Sequence, residues 1–374
     1  MRNSTKIGLL VGGIALLTAP AMAQDVTLNV YNAAGFEPYY VEQLIPAFEE
    51  ATGINVEHVR ISGGDLLGAV TAQVDSGESD IHLVIAGGSQ LSQLADEGLV
   101  QELDLGQIGN IANLAGSPAE PYVGAWEGLA VPSHADYTPV VLAAASVDAG
   151  SIGDLDSLAA WICENPGRWQ EGLAGRSGPG NGHKLAVAAA LGEDLEDPDS
   201  WSAAWEYMAG VSSCIREYTA GTGPTISALG SGENLAIPMN YGWQAELRHR
   251  GEIPGDSQLV NPYGITFVDP HAMAVAETVD GDVLDAAHQF LNFQLTDDAQ
   301  AMITNTIHYP LTISGWAASN SELRDRTTEM VTGIDFETFV ADGDFSVMPS
   351  GSAQTRAFTI WEDEVGANHA YTGD

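Results

Sequence analysis

Over the first hundred residues, short β-rich runs alternate with stretches whose apolar positions are spaced for helices. Thr27–Tyr31 reads as a strand, ended by Asn32-Ala33-Ala34-Gly35. Pro38–Thr52 follows with Val41, Leu44, Ile45 and Phe48 at helical spacing. Pro46 inside that stretch predicts a kink or a late helix start, and Gly53 predicts its end. Ile54–Ile61, Asp65–Val74, Asp80–Ala86 and Leu91–Glu97 continue the alternation as strand, helix, strand and helix. Such an order builds a mainly parallel sheet with helices on both faces, and ligands bind beyond the carboxyl ends of its strands. Those ends are Asn32–Phe36, Ser62-Gly63-Gly64 and Ala86–Ser89.

From Ala130-Val131-Pro132 through Ser133–Tyr137 to Val140–Ala145 the chain reads as leaving this unit for a second one. There, Ile152–Cys163 is helical in pattern, Ser177–Gly182 is a glycine-rich loop opening the helix Leu185–Leu191, and Ala220–Pro224 precedes another helix. Leu235–Met239 predicts a strand and Gly242–Arg250 a helix. Ile265–Val268 and Ala272–Ala276 predict two strands split by Asp269-Pro270. Val283–Gln294 is amphipathic, and Thr296 with Asp297 and Asp298 caps the helix after it.

Two features assign a compartment. Met1–Ala23 has basic Arg2 and Lys6, an apolar Ile7–Leu17 and the small-x-small site Ala21-Met22-Ala23, the layout of a secretory signal peptide. No cysteine follows that site, which argues against a lipid anchor, and no later run is long and apolar enough to span a bilayer. Cys163 and Cys214 are the only cysteines. In an oxidising compartment an even pair points to one disulfide, the alternative being two buried thiols. The expected product is soluble and periplasmic.

The charge is lopsided, 51 acidic against 12 basic residues and a formal net charge of −39. The carboxylates are spread along the chain, so they form a hydrated folded surface that repels nucleic acid and anionic membrane. Enzyme motifs are missing: there is no HExxH, CxxC, Walker A loop or GxSxG. The nine histidines show no metal-ligand spacing, and neither a metal nor a cofactor is expected. Three weaker signals remain. Ser177–Gly182 and Ala220–Pro224 sit where helices begin and either offer N–H groups to an anion, with Arg176 or Lys184, or are plain turns. Tyr241-Gly242-Trp243 lies at a strand end, where aromatic rings either wall a pocket against a cation or pack a helix start. Asp269 either meets a ligand amine or serves an Asp-Pro turn.

Taken together, TLNVYNAAG, EEATGI, DIHLVIA, LADEGLVQELD, LAVPSH, LAIPMNYGW and FVDPHAMAV…AHQFLNF…TNTIHYP resemble the bacterial extracellular solute-binding proteins of ABC importers. The patches come nearest to the spermidine/putrescine-binding branch and run over nearly the whole chain after the leader. The resemblance implies a two-lobed α/β periplasmic-binding fold (type II), each lobe a mixed, mainly parallel sheet, joined by hinge strands that let the lobes close on one small solute. The implied division is a leader at 1–23, a first lobe at 24–132 plus 270–312, and a second at 133–269 plus 313–374. The implied partners are a small-molecule solute and a membrane ABC permease, with no direct membrane insertion, and the protein is expected to be a monomer without catalysis. Asp269 matches the carboxylate that takes an amine, Tyr241 or Trp243 the aromatic wall, and Phe36 the first-lobe aromatic. The remaining expected ligand-binding positions are Asn32, Ala34, Gly35, Gly87, Gly88, Ser133, Tyr137 and Asn181. Two departures thin the first-lobe half of a polyamine cage: Ala33 and Ala34 replace a tryptophan, and Gly87-Gly88-Ser89 replaces an aromatic-rich loop. A receptor for an anion or for ferric iron, whose branch uses adjacent tyrosines (only Tyr39-Tyr40 here), and a secreted α/β hydrolase are the competing readings.

Overall fold

The computed structural model describes residues 26–373. Segment 1–23, where a signal peptide is expected, lies outside the described residues.

The first sheet is built from β1 (Thr27–Asn32), β2 (Asn55–Arg60), β3 (Leu83–Gly87), β4 (Val131–Thr138), β10 (Thr266–Val275) and β11 (Phe345–Val347). β1 pairs in parallel with β2 and β3, while β10 runs antiparallel to β3 and β4. The predicted strand–helix alternation thus forms, and its three parallel strands end on one side of the sheet. The second sheet has β5 (Val140–Ala143) between β8 (Ala236–Met239) and β9 (Gln258–Val260), both antiparallel to it. A bridge from Trp169 to Ala236 extends it toward the short parallel pair β6 (Glu171–Gly172) and β7 (Tyr218–Thr219).

Each sheet carries its own core. Leu28, Val30, Phe48, Leu83, Ile85, Met273 and Phe290 lie at the centre of the first, and Trp169, Leu185, Val187, Trp201 and Trp361 at the centre of the second. The chain crosses between them at Pro139, again between β9 and β10, and a third time after β11. Trp316, Val331 and Phe336 pack into the first core, whereas Ala357, Trp361 and Val365 pack into the second. We therefore propose a lobe boundary just after β11, near Met348, in place of one that gives all of 313–374 to the second lobe.

Two local expectations are refined. Helical geometry runs through Pro46: a π-helical turn at Tyr40–Leu44 leads into the α-helical stretch Ile45–Thr52, which starts late, and the wider turn carries the chain past a residue with no N–H to donate. β10 is not split at Asp269-Pro270. On the edge away from β4 it pairs with β11 through Val268 and with β3 from His271 onward, so 269 and 270 fall in the gap between two partners and no ladder donor is needed from Pro270.

In the second lobe the helix Gly178–Ala190 starts earlier than its glycines suggested, with Ser177 Oγ capping the N–H of Gly180 at 3.2 Å. A β-carbon on Gly182 would collide with the side chain of Thr138, so glycine lets this helix lie directly on the end of β4. Lys184, inside this helix, is buried. Its ammonium donates to Glu171 Oε2 (3.2 Å), Gly172 O (3.1 Å) and Gly180 O (3.2 Å), and it lies over the Trp361 ring. That rules it out as an anion ligand.

Cys163 and Cys214 are bonded, with Cα atoms 5.0 Å apart, and join the end of helix Leu155–Glu164 to the turn after Ser202–Ser212. The bridge closes a loop of sequence separation 51. Removing a cross-link of that span frees the unfolded chain by about 4 kcal/mol. The C163S/C214S double variant is expected to show a lower urea midpoint with a fall of that order, measured by circular dichroism; an unchanged midpoint would rule out this contribution.

Candidate functional site

The carboxyl ends of β1, β2 and β3 open into a cleft of about 1670 Å³ whose other wall comes from the second sheet and its helices. On the first side stand Ala33–Phe36, Ser62–Gly64 and Gly87–Ser89; on the second, Gly175–Pro179, Asn181, Thr222, Asn240 and Trp243. The floor is the β4–β10 ladder. Its register sets Asp136 opposite Asp269 and His134 opposite His271. Side chains two apart on a strand share a face, so four polar groups meet on the cleft side of two paired strands.

The two histidine rings are stacked, with centroids 4.5 Å apart and planes within 7°. The Phe36 ring lies 4.5 Å from His134 and 4.5 Å from His308. Phe36 itself adopts φ 62, a left-handed conformation that a bulky residue holds only when its surroundings fix it. Burial, with His271 and His308 alongside, depresses the His134 pKa well below the usual range, so its ring is neutral. Its Nδ1 pairs with the Tyr40 hydroxyl at 2.8 Å.

The carboxylates differ in their support. Asp136 is buried; its Oδ2 accepts from Asn240 Nδ2 at 3.1 Å, while its Oδ1 has no hydrogen-bond partner among the described residues. Asn240 Oδ1 and His271 Nδ1 are likewise buried without partners among the described residues. Desolvation raises the Asp269 pKa to about 6; His271 opposes that rise and Asp136 reinforces it. The site therefore holds acceptors in surplus, which is costly unless a donor arrives.

Of the expected ligand positions, Ala34, Gly35, Phe36, Gly87, Gly88, Asn181, Trp243 and Asp269 line the cleft. Asn32, Ser133, Tyr137 and Tyr241 do not. Asn32 is fully buried and shapes the loop instead, its Oδ1 accepting from Ala34 N (2.9 Å) and Gly35 N (3.0 Å). Ser133 and Tyr137 have the wrong parity on β4. Ser133 Oγ pairs with Tyr40 OH at 2.9 Å, and Tyr137 packs on Phe339 and Phe345 in the first core. Tyr241 is half-buried beside Phe339. Asn181 serves its loop as well, accepting from Gly175 N at 2.8 Å.

Sequence reasoning missed His134, Asp136, Asn240 and His271, although strand alternation from Ser133 and Tyr137 would have offered the first two. It also missed Trp126, which reaches the cleft from the end of helix Glu120–Ala125 and comes against Gly88. This ring stands beside the glycine loop where an aromatic-rich loop was missing. Tyr39 and Tyr40 are buried in the first core, where desolvation keeps both phenols protonated, so they are not placed to ligate iron. Arg176 faces the cleft, and among the described residues it is the one basic side chain with neither a hydrogen bond nor an ion pair.

Two α/β lobes around a polar cleft floored by their connecting strands define a protein built to hold a small solute between lobes. The family model described as bacterial extracellular solute-binding protein matches residues 43–328, and the chain belongs to that family. Among curated proteins no sequence matches it. Solved structures with a similar fold include an ABC transporter protein from Clostridium perfringens (TM-score 0.70, 15% identity, 92% of this chain and 100% of the other). A GABA receptor (0.68, 17%, 93% and 100%) and a spermidine/putrescine ABC transporter substrate-binding protein from Streptococcus pneumoniae (0.61, 16%, 90% and 99%) are similar too.

The raised Asp269 pKa has a consequence for stability. The fold holds the neutral acid better than the ordinary carboxyl of pKa 3.8, so this contribution is full at low pH and is lost as pH rises through about 6. Without solute, Asp269→Asn is expected to gain melting temperature relative to the native protein as pH goes from about 4 to 7. Scanning calorimetry of both proteins across that range would read it; a constant difference would refute the raised pKa.

Proposed function

We propose that this protein is the periplasmic substrate-binding component of an ABC importer, exported by removal of segment 1–23 and acting as a monomer. It traps a small organic cation, a polyamine or a related amine, and presents it to a membrane permease without altering it. The observation that carries this reading is the pair of carboxylates, Asp136 and Asp269, set opposite each other on the cleft floor with Asp136 Oδ1 unpaired among the described residues. A cation arriving there offsets the cost of holding two carboxylates side by side. Phe36, Trp126 and Trp243 supply aromatic surface around it. The S. pneumoniae protein, named for spermidine and putrescine, supports the choice of amine.

Arg176 favours a second reading, in which the solute also carries an acid group. The uncapped helix start at Thr222 lies on the same side of the cleft. The likeness to a GABA receptor supports this form, and an amino acid would use both ends of the cleft.

The test is calorimetric titration with putrescine, spermidine and 4-aminobutanoate. One of them is expected to bind in a 1:1 ratio and to be recovered unchanged. Asp136→Asn and Asp269→Asn should each weaken it by about thirtyfold or more, since each leaves a buried charge partner unmatched. Circular dichroism should show the fold intact. Affinity unmoved in both variants would remove the pocket; chemical conversion of the solute would point to catalysis.

A further inference from the structure

The chain's third passage between the lobes is short and is gripped from both sides. It begins where β11 ends, at the ladder pair Val268–Val347. Met348 N then donates to Tyr122 Oη at 2.8 Å, and that hydroxyl donates to Val268 O at 2.6 Å. Tyr122 is buried in the first core, so this grip belongs to the first lobe. By Ser350 the grip has changed hands. Ser350 N donates to Glu196 Oε1 at 2.9 Å, and Ser350 Oγ donates to Glu196 Oε2 at 2.6 Å. Glu196 lies beside Leu195, which packs against the second core. Ser350 Oγ also caps helix Gly351–Trp361, accepting from Ala353 N at 3.3 Å, and that helix sends Ala357 and Trp361 into the second core.

Between the two grips lie only the backbones of Met348 and Pro349. The proline ring fixes its own φ and confines Met348 to extended backbone. Rotation there falls mainly to ψ of Pro349. Next to it, Gly351 lies directly on helix Gly88–Asp96 of the first lobe: a β-carbon would collide with the Ser92 side chain, so glycine lets the two helices touch. Gln93 Nε2 of that helix reaches across to Thr355 Oγ1 at 3.2 Å.

We infer that Met348–Ser350 is a proline pivot, clamped to the first lobe by Tyr122 and to the second by Glu196, that holds the lobes to a narrow path of relative motion. A loose linker would let the solute-free lobes sample many separations, and that entropy would be lost whenever they met. The clamped pivot removes most of that loss in advance. The inference uses the two-lobe architecture alone and holds whatever the charge of the solute.

The experiment measures lobe separation in solute-free protein by double electron–electron resonance. Spin labels are placed through Glu57→Cys on β2 and Ala209→Cys on helix Ser202–Ser212, exposed positions with one in each lobe. With the pivot unaltered, one narrow distance distribution is expected. Pro349→Gly should widen it by about twofold or more, because glycine frees φ as well as ψ. Tyr122→Phe and Glu196→Ala each release one clamp and should widen it by a smaller factor, with circular dichroism showing each variant folded. A distribution that Pro349→Gly leaves unchanged, or one already as broad with Pro349 in place, overturns the pivot. A clamp variant as narrow as the parent removes that residue from the device. Should Tyr122→Phe fail to fold, Glu196→Ala at an exposed carboxylate still tests the clamping.

Discussion

Everything in this molecule hangs on the pairing of β4 with β10. These strands complete the first sheet, and each connects directly to a strand of the second: β4 through Pro139 into β5, and β10 from β9. Because their ladder runs antiparallel through Thr138–Val131, the two chain crossings lie side by side, and one hydrogen-bonded ribbon carries both lobes. The same ladder forms the cleft floor. A slip of β4 by one residue along β10 would turn His134 and Asp136 from the cleft to the core and bring Ser133 and Tyr137 out. Tyr137 resists that shift, since its ring is locked among Phe339 and Phe345. Core packing on one face thus fixes the chemistry of the other.

The two lobes treat buried charge in opposite ways. In the second lobe, Lys184 meets Glu171 and two carbonyls, so its charge is fully matched, and the adjacent His183 is held neutral, its pKa lowered to about 4 by burial. That matched cluster ties β6 to the helix beginning at Gly178 and so fixes the cleft wall that carries Arg176 and Asn181. On the cleft floor, by contrast, Asp136 and Asp269 stand opposite each other and neither forms an ion pair among the described residues, and desolvation raises the pKa of the latter. An internal ion pair supports the scaffold, whereas the unbalanced pair of like charges has no counterpart there. On the function proposed above, this asymmetry separates a structural charge from a recognition charge.

The abundance of acidic residues gains a second meaning in this setting. Most are exposed and serve hydration, and their summed field draws cations toward the surface. On the function proposed above, selection among cations falls to the few groups taken out of water, where acceptors without partners are expensive and shape matters. The aromatic contribution comes from Phe36, Trp126 and Trp243, from three distant parts of the chain.

Periodicity and punctuation alone determined much: the strand–helix alternation of the first lobe, the two-part organisation, the glycine-rich strand ends that line the cleft, and Asp269 as a residue of interest. These follow from local rules, since apolar spacing and turn residues act within a few positions. Pairing and parity lay beyond them. The sequence around 131–138 offers two alternating faces, and choosing Ser133 and Tyr137 rather than His134 and Asp136 was an even choice until Phe339 and Phe345, two hundred residues away, claimed one of them. Trp126 could not be assigned to the cleft before the chain had placed it beside Gly88, and Lys184 looked available until burial matched it with Glu171. The sequence by itself determined which elements exist and where they turn; tertiary structure decided which side of each faces the solute, because that depends on long-range packing that local pattern does not encode.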